Sequence, residues 1–305
     1  GEIELSPLDI LAKRTFPDTI VTAESNFDTH GFTVHPLFLA SAPDEKPLRA
    51  DVPFRCLLPQ RVERLLVTGL GVSAHRDALP VIRMQPDVQN QGYAAGLAAA
   101  KASLTDVDLR ALDIRALQQD LVTAGILDPA VLDHQDSFPI PADEVRSAVA
   151  AGPVNHYNVA IMLAHPEVSV PHLIDRLHSA TNPEHREDAA MILGLMGRPE
   201  AAEALIDLVS GRDWDDGWNY RGMGQFGASV SRMDTLVMAL GRTRDPRGVE
   251  PILRKIEALD ERSAFSHCRA VSVAAAALAD QRLAEALYRL LHKPTMQGHA
   301  QVDMK

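Results

Sequence analysis

The chain has 305 residues, of which 46% are hydrophobic and 23% are charged, a balance typical of a globular protein of about two domains. Its net charge of −11 argues against a nucleic-acid-binding surface, and no apolar run is long enough to predict a membrane span. The two cysteines, Cys56 and Cys268, are too few for a disulfide framework or a zinc site and are expected to be small core residues. The start of the chain has neither a Met nor the features of a signal peptide, so we expect a fragment of a longer protein.

Residues 1–127 carry mixed secondary-structure signals. The run VPFRCLLP, residues 52–59, is bracketed by prolines and predicts an edge strand. The apolar run at residues 65–68 predicts a buried strand that ends in Gly69 and Gly71.

A glycine-containing helix is predicted to follow, beginning near Pro86, where the missing N–H costs nothing. Gly92 and Gly96 share one face of it, and each costs about 1 kcal/mol relative to alanine. We therefore expect another backbone segment or a ligand to come close to this face. A further helix is predicted from about Asp113, and Gly125 is its expected stop.

Residues 155–293 have a different pattern, in which apolar residues recur at helical spacing and the helices come in pairs. The first helix of a pair tends to end in Ala-Leu-Gly or Ala-Leu-Ala. Because one pair cannot bury its own apolar face, stacked neighbours must complete the core, as in a HEAT-type solenoid. Residues 128–154 contain several prolines and little periodicity, which indicates a connector, and residues 294–305 form a tail.

A series of motifs in residues 14–127 resembles the carboxyl-terminal portion of a bacterial family of FAD-dependent oxidoreductases. The motifs are, in chain order, RTFPDTI (14–20), FDTH (27–30), VPFRCLLP (52–59), GLGVSAHRDA (69–78), VIRMQPDVQNQGYAAG (81–96) and LDIRALQQDL (112–121). The resemblance implies FAD as cofactor, with a glycine-ended strand against its ribityl and pyrophosphate groups and a helix start against its pyrimidine ring. The cofactor-binding residues so implied are Gly69, Gly71, Ser73, Arg83, Met84, Gln85, Pro86 and Asp87.

Three residues are candidates for acid–base catalysis. The family has a histidine where this chain has Arg76, and His75 stands one place earlier. Asp28 and His30 would share one face of a strand and could form an acid–base pair. No spacing of metal ligands occurs in the sequence, so we expect no metal site.

The 305 residues contain no GxGxxG motif opening a helix after a strand, so this chain alone lacks the means to hold the ADP half of FAD. We expect the amino-terminal flavin-binding half to be missing from the sequence or to come from a second chain. The implied reaction is hydride removal from a carbohydrate or another small hydroxy compound. The alternative is a non-enzymatic HEAT-repeat interaction module with a degenerate flavoprotein remnant.

Residues 211–229 interrupt the helical pattern and contain both tryptophans, Trp214 and Trp218, among several aspartates. Indole faces and carboxylates suit a carbohydrate, and long inter-repeat loops also serve as protein-binding surfaces. Alternatively, the tryptophans fill a local core. The sequence thus predicts a mixed fold: an α/β flavoprotein portion (1–127) followed by an all-α HEAT-like solenoid (155–293).

Overall fold

The computed structural model describes residues 1–28, 33–40, 46–215 and 230–296. Within these ranges it contains two strands, β1 (Thr19–Ser25) and β2 (Leu48–Pro53). The α-helices of the same ranges are α1 (Pro7–Leu11), α2 (Pro36–Ala40), α3 (Leu79–Ile82), α4 (Gln85–Thr105), α5 (Ile114–Thr123), α6 (Ala142–Ala151), α7 (His156–Ala164), α8 (Pro166–Ser179), α9 (Pro183–Leu195), α10 (Ala202–Gly211), α11 (Arg232–Thr243), α12 (Val249–Glu257), α13 (Phe265–Leu278) and α14 (Gln281–Leu291). Across these described stretches, none of the helices has the length and apolar character that crossing a membrane requires.

The chain divides into two compact units. Unit 1 comprises Gly1–Thr29 and Pro43–Ile140, and unit 2 comprises His30–Ala42 and Pro141–Lys305. The mixed fold class is supported in this coarse form, because unit 1 contains a small sheet with helices and the described part of unit 2 is helical.

Unit 1 is built on an antiparallel pair of strands. β1 pairs with β2 in a register that sets Val21 opposite Val52 and Ala23 opposite Ala50, and all four side chains are buried. Helix α1 packs on β2, while α3 and α4 pack on β1, so the apolar core lies between the sheet and these helices.

Two strand predictions for unit 1 are wrong. Residues 65–68 form no strand, and Leu65 is 46% exposed. The backbone of this run makes one hydrogen bond to another segment, from the Val67 N–H to the Leu57 carbonyl at 2.9 Å. A strand needs a partner along its whole length, and the described residues provide none here.

The run VPFRCLLP is likewise not a strand throughout, because β2 ends at Pro53 and Phe54–Leu57 form a 3₁₀ helix. Asp18 explains the turn of the chain. Its carbonyl accepts the Phe54 N–H at 2.8 Å, and its carboxylate accepts the Arg55 N–H at 3.1 Å. The bend buries Cys56, as predicted, whereas Cys268 in unit 2 is only half-buried, so the core prediction for it is wrong.

In unit 2, the predicted helix pairs are present: α7 with α8, α9 with α10, α11 with α12, and α13 with α14. The first helices of the last three pairs pack on one another in the order α9, α11, α13, and the second helices pack in the order α10, α12, α14. Helix α6 lies in the segment that was predicted to have little periodicity.

Glycines set the closest approaches between the first helices. A Cβ added to Gly194 would lie 2.9 Å from the Ala239 Cβ on α11, and one added to Gly241 would lie 2.4 Å from the Ala274 Cα on α13. Gly194 on α9 and Gly241 on α11 are therefore positions where the next first helix comes close, and Gly241 is the one that ends an Ala-Leu-Gly run.

A buried polar cluster joins α11, α13 and the segment after α10. The Asp234 carboxylate lies 2.6 Å from Nδ1 of His267 and also accepts the Ser231 N–H at 2.7 Å. The Trp214 ring stacks on the His267 ring at 4.3 Å, and its Nε1 donates to the Lys255 carbonyl at 3.3 Å. The cluster fixes Trp214 inside unit 2.

Candidate functional site

The amino-terminal end of α4 is the first feature of the candidate site. The predicted start is confirmed, because Pro86 is the second residue of the helix and Met84 is an extended N-cap without a side-chain capping bond. The first turn of a helix leaves backbone N–H groups without intrahelical partners, and Pro86 has none to offer. The backbone donors at this end are therefore the N–H groups of Gln85 and Asp87. The side chains of Gln85 and Pro86 beside them are exposed.

Asp87 is buried in this first turn, with 7% of its surface exposed. Burial raises the pKa of Asp87, and a hydrogen bond from the Met84 N–H opposes that shift. Its Oδ2 is buried and has no hydrogen-bond partner among the described residues. The burial of Asp87 therefore disfavours its charged form at this helix end.

Gln91, one turn further along α4, joins the helix to the glycine turn at Gly69–Gly71. Its side chain is completely buried; Oε1 accepts the Gly69 N–H at 3.2 Å and Nε2 donates to the Ile82 carbonyl at 3.0 Å. Sequence reasoning missed this residue. The available signal was a long polar side chain on the same helix face as Ala94, Ala95 and Ala98.

Replacing Gln91 with methionine is expected to lower the free energy of unfolding by about 1–3 kcal/mol, because the Gly69 N–H and the Ile82 carbonyl would lose a buried partner. Gln89→Met is the matched control, since Gln89 lies exposed on the same helix and should change stability by less than about 0.5 kcal/mol. Urea unfolding of the 305-residue chain measures both. Equal effects of the two substitutions would contradict this role of Gln91.

The glycine turn itself is a 3₁₀ turn, Gly69–Gly71, in place of the predicted strand end. Gly69 has φ of +66°, a conformation that side chains rarely adopt. A Cβ on Gly71 would lie 2.9 Å from Cγ1 of Val67, so a side chain there would displace the Val67 side chain. Ser73 is held on both sides: its N–H donates to the Cys56 carbonyl and its carbonyl accepts the Leu5 N–H, each at 3.0 Å.

His75 follows in the loop before α3. Its Nδ1 accepts the Asp77 N–H at 3.1 Å, so a neutral imidazole carries its proton on Nε2. Asp77 is 1% exposed and accepts a hydrogen bond from Arg76 at 2.9 Å. His75 is thereby oriented by its own loop, with Nε2 as the donor atom.

Arg83 and Asp28 are brought together although they are far apart in sequence. Nη2 of Arg83 donates to the Asp28 carbonyl at 3.0 Å and lies 3.9 Å from the Asp28 carboxylate. One predicted cofactor-binding residue thus holds one predicted catalytic residue. His30, the proposed partner of Asp28, lies outside the described residues.

The expected approach of another backbone segment to Gly92 and Gly96 does not occur among the described residues, and the alternative of a ligand stays a prediction. A Cβ added to either glycine would have no atom within 4 Å. Both positions are exposed, as are Tyr93, Ala99 and Ala100 on the same side. No charged residue occurs from Val88 to Ala100, so this outer face of α4 is uncharged as well as uncovered.

The residues at the α4 end fit one requirement of a flavin, which is a set of backbone donors and a positive helix end for the acceptor edge of the ring. The orphaned Oδ2 of Asp87 is a second polar atom at this end. Side chains with the grouping needed to hold a metal ion were not found in the ranges that the structure describes.

Comparison with protein families gives a match to the amino-terminal part of the chain. Residues 1–121 match the family described as FAD dependent oxidoreductase. This match supports the resemblance seen in the motifs, and with it FAD as the class of cofactor, for that part of the chain. Neither the curated proteins nor the solved structures gave a match to this chain.

Proposed function

We propose that residues 1–127 are the flavin-facing portion of an FAD-dependent oxidoreductase. The observation that carries the proposal is the Gln91 link, which joins the Gly69–Gly71 turn to the first turns of α4. The family match over residues 1–121 supports the same assignment.

Bound flavin would supply the hydride acceptor for a substrate carbon, with a carbohydrate or another small hydroxy compound as the proposed substrate class. In this proposal the N–H groups of Gln85 and Asp87 bind the acceptor edge of the ring, and Arg83 holds Asp28. His75, with its proton on Nε2, would donate a hydrogen bond to the substrate oxygen, and the carboxylate of Asp28 would accept the proton that the substrate hydroxyl loses together with the hydride. Burial disfavours the charged form of Asp87, which would oppose flavin reduction.

The dinucleotide-binding half is proposed to come from another part of a longer polypeptide or from a second chain. Its expected contact is the uncharged outer face of α4 around Gly92 and Gly96. An exposed apolar face is costly in water, and helix glycines allow a second backbone to come close. Leu70 is 70% exposed in the adjoining turn and would extend the same contact.

The test of this proposal is the substitution Gln85→Glu in the flavin-loaded protein. A carboxylate at the start of α4 suits the helix dipole, so the stability of the 305-residue chain should not fall. In the holoprotein the same charge would oppose the negative charge of reduced flavin, and we expect reduced flavin to bind about tenfold more weakly, which is about 1.4 kcal/mol. Flavin occupancy and the two-electron potential measure the effect.

Gln89→Glu is the control, because it adds the same charge one turn further from the end of α4. It should leave the flavin potential nearly unchanged. If both variants change the potential equally, or neither does, the start of α4 does not face the flavin.

The second candidate function is a HEAT-like interaction module over residues 155–293. The observation that favours it is the successive packing of first helices on first helices and of second helices on second helices. The last helix, α14, also exposes Tyr288 (63%) and Leu291 (74%), which a further helix or a protein partner would cover. The segment 211–229, of which residues 216–229 with Trp218 lie outside the described residues, is a second proposed contact, for a protein or a carbohydrate. A natively purified protein without flavin would favour this candidate.

A further inference from the structure

Unit 1 contains a cavity of about 350 Å³. None of the residues proposed for the flavin site lines it. Its apolar walls are Pro17, Phe54, Leu58, Leu109 and Ile114, and of these Phe54, Leu58 and Leu109 are buried. The volume is within the range of about 300–1,000 Å³ that small-molecule sites occupy.

Two arginines at the cavity are fixed in place by ion pairs. Arg55 uses Nε and Nη2 to bind both oxygens of the buried Asp18, each at 3.0 Å, and this pairing raises the pKa of Arg55. Arg110 uses Nε to bind the Glu2 carboxylate at 2.6 Å and Nη2 to bind the Pro59 carbonyl. Neither guanidinium group needs to be ordered when a ligand binds.

The hydrogen bonds leave the cavity with more donors than acceptors. Both oxygens of Asp18 are engaged by Arg55, and both oxygens of Asp136, also in the lining, are engaged by Arg14 at 2.9 Å. Nη1 of Arg55 makes no hydrogen bond to the described residues, and Nη1 of Arg110 lies 3.9 Å from the Asp108 carboxylate, beyond hydrogen-bond distance. A guanidinium group carries five N–H donors and no acceptor.

We propose that this cavity binds a small monocarboxylic acid with an apolar body. The ligand carboxylate accepts hydrogen bonds from Nη1 of Arg55 and of Arg110, and the apolar body lies against Phe54, Leu109 and Ile114. Two arginines and three carboxylates line the cavity, and Arg14, outside the lining, pairs with Asp136 and Asp9. The two Nη1 donors, rather than a net positive charge, therefore favour a ligand with a single carboxylate.

The test compares phenylacetate with phenylacetamide, which has nearly the same shape and no charge, on the 305-residue chain. Titration calorimetry should give saturable binding of phenylacetate at millimolar concentration or below, and at least tenfold weaker binding of the amide. In ¹H–¹⁵N spectra, the Nε–H signals of Arg55 and Arg110 should shift with phenylacetate. Absence of saturable binding, or equal binding of the amide, would overturn the proposal.

Two variants locate the site. Ile114→Trp fills the cavity and should weaken phenylacetate binding at least tenfold, whereas Leu104→Trp, on an 86% exposed residue outside it, should not. Arg110→Gln removes one charge and should reduce the preference for phenylacetate over the amide at least fivefold. Circular dichroism and melting temperature establish that each variant folds. Unchanged binding in a folded Ile114→Trp protein would also overturn the proposal, whatever the outcome for flavin.

Discussion

Asp234→Ala is expected to lower the free energy of unfolding by about 3–5 kcal/mol, since removing one partner of a buried pair leaves the other without compensation. The carboxylate of Asp234 is fully buried and is shared between Nδ1 of His267 and the N–H of Ser231, which is also fully buried. Urea unfolding of the 305-residue chain measures the change. Asp234→Asn keeps one acceptor oxygen, so its free energy of unfolding should lie between those of the wild type and the alanine variant.

Asp280→Ala is the matched control for this prediction. Asp280 caps α14 and pairs with Arg282 at 3.0 Å, and that arginine side chain is 54% exposed. Losing this exposed cap and ion pair should cost much less than losing the buried pair, because solvent screens the charges. If Asp234→Ala costs no more than Asp280→Ala, the Asp234–His267 pair does not hold α11 and α13 together as described. Trp214 fluorescence provides a second readout. The variant His267→Leu removes the imidazole that stacks on the Trp214 ring, so the fluorescence of Trp214 should change.

Gly241→Ala is expected to lower the free energy of unfolding by about 1–3 kcal/mol through overpacking. The added methyl group would meet backbone atoms of Ala274, with the Cα at 2.4 Å and the carbonyl oxygen at 2.8 Å, so α11 and α13 must move apart. This loss opposes the gain of about 1 kcal/mol that alanine gives over glycine within a helix.

Gly96→Ala separates these two effects. Gly96 lies within α4 and a Cβ there has no neighbour within 4 Å, so the propensity gain of about 1 kcal/mol should appear undiminished in the 305-residue chain. The two variants should therefore shift the melting temperature in opposite directions. Two shifts of the same sign would contradict the helix packing described for unit 2 or the open face described for α4.

Local signals in the sequence predicted the helices well. Pro86 marks the start of α4, and Asp113 caps α5, where its carboxylate accepts the Ala116 N–H at 3.0 Å. Gly125, the predicted stop after α5, has φ of +72°. Each of these signals acts through residues a few positions away, so one segment of sequence contains all the information that is needed.

Long-range pairing was not available from the sequence. The run at residues 65–68 has the composition of a strand, but a strand also needs neighbours, and composition does not reveal whether they are present. Gln91 binds Gly69 across 22 positions and His267 binds Asp234 across 33, so neither pair produces a periodic pattern. The stacking of Trp214 on the His267 ring is likewise a long-range contact that no local pattern predicts.

The most direct test of the account is the visible absorption spectrum of the protein purified from the cells that make it, beside that of the isolated 305-residue chain. We expect bound flavin, close to one per chain, in the native protein and a colourless isolated chain, because these 305 residues lack the dinucleotide motif. A native protein without flavin that also fails to take up added FAD would contradict the proposed function.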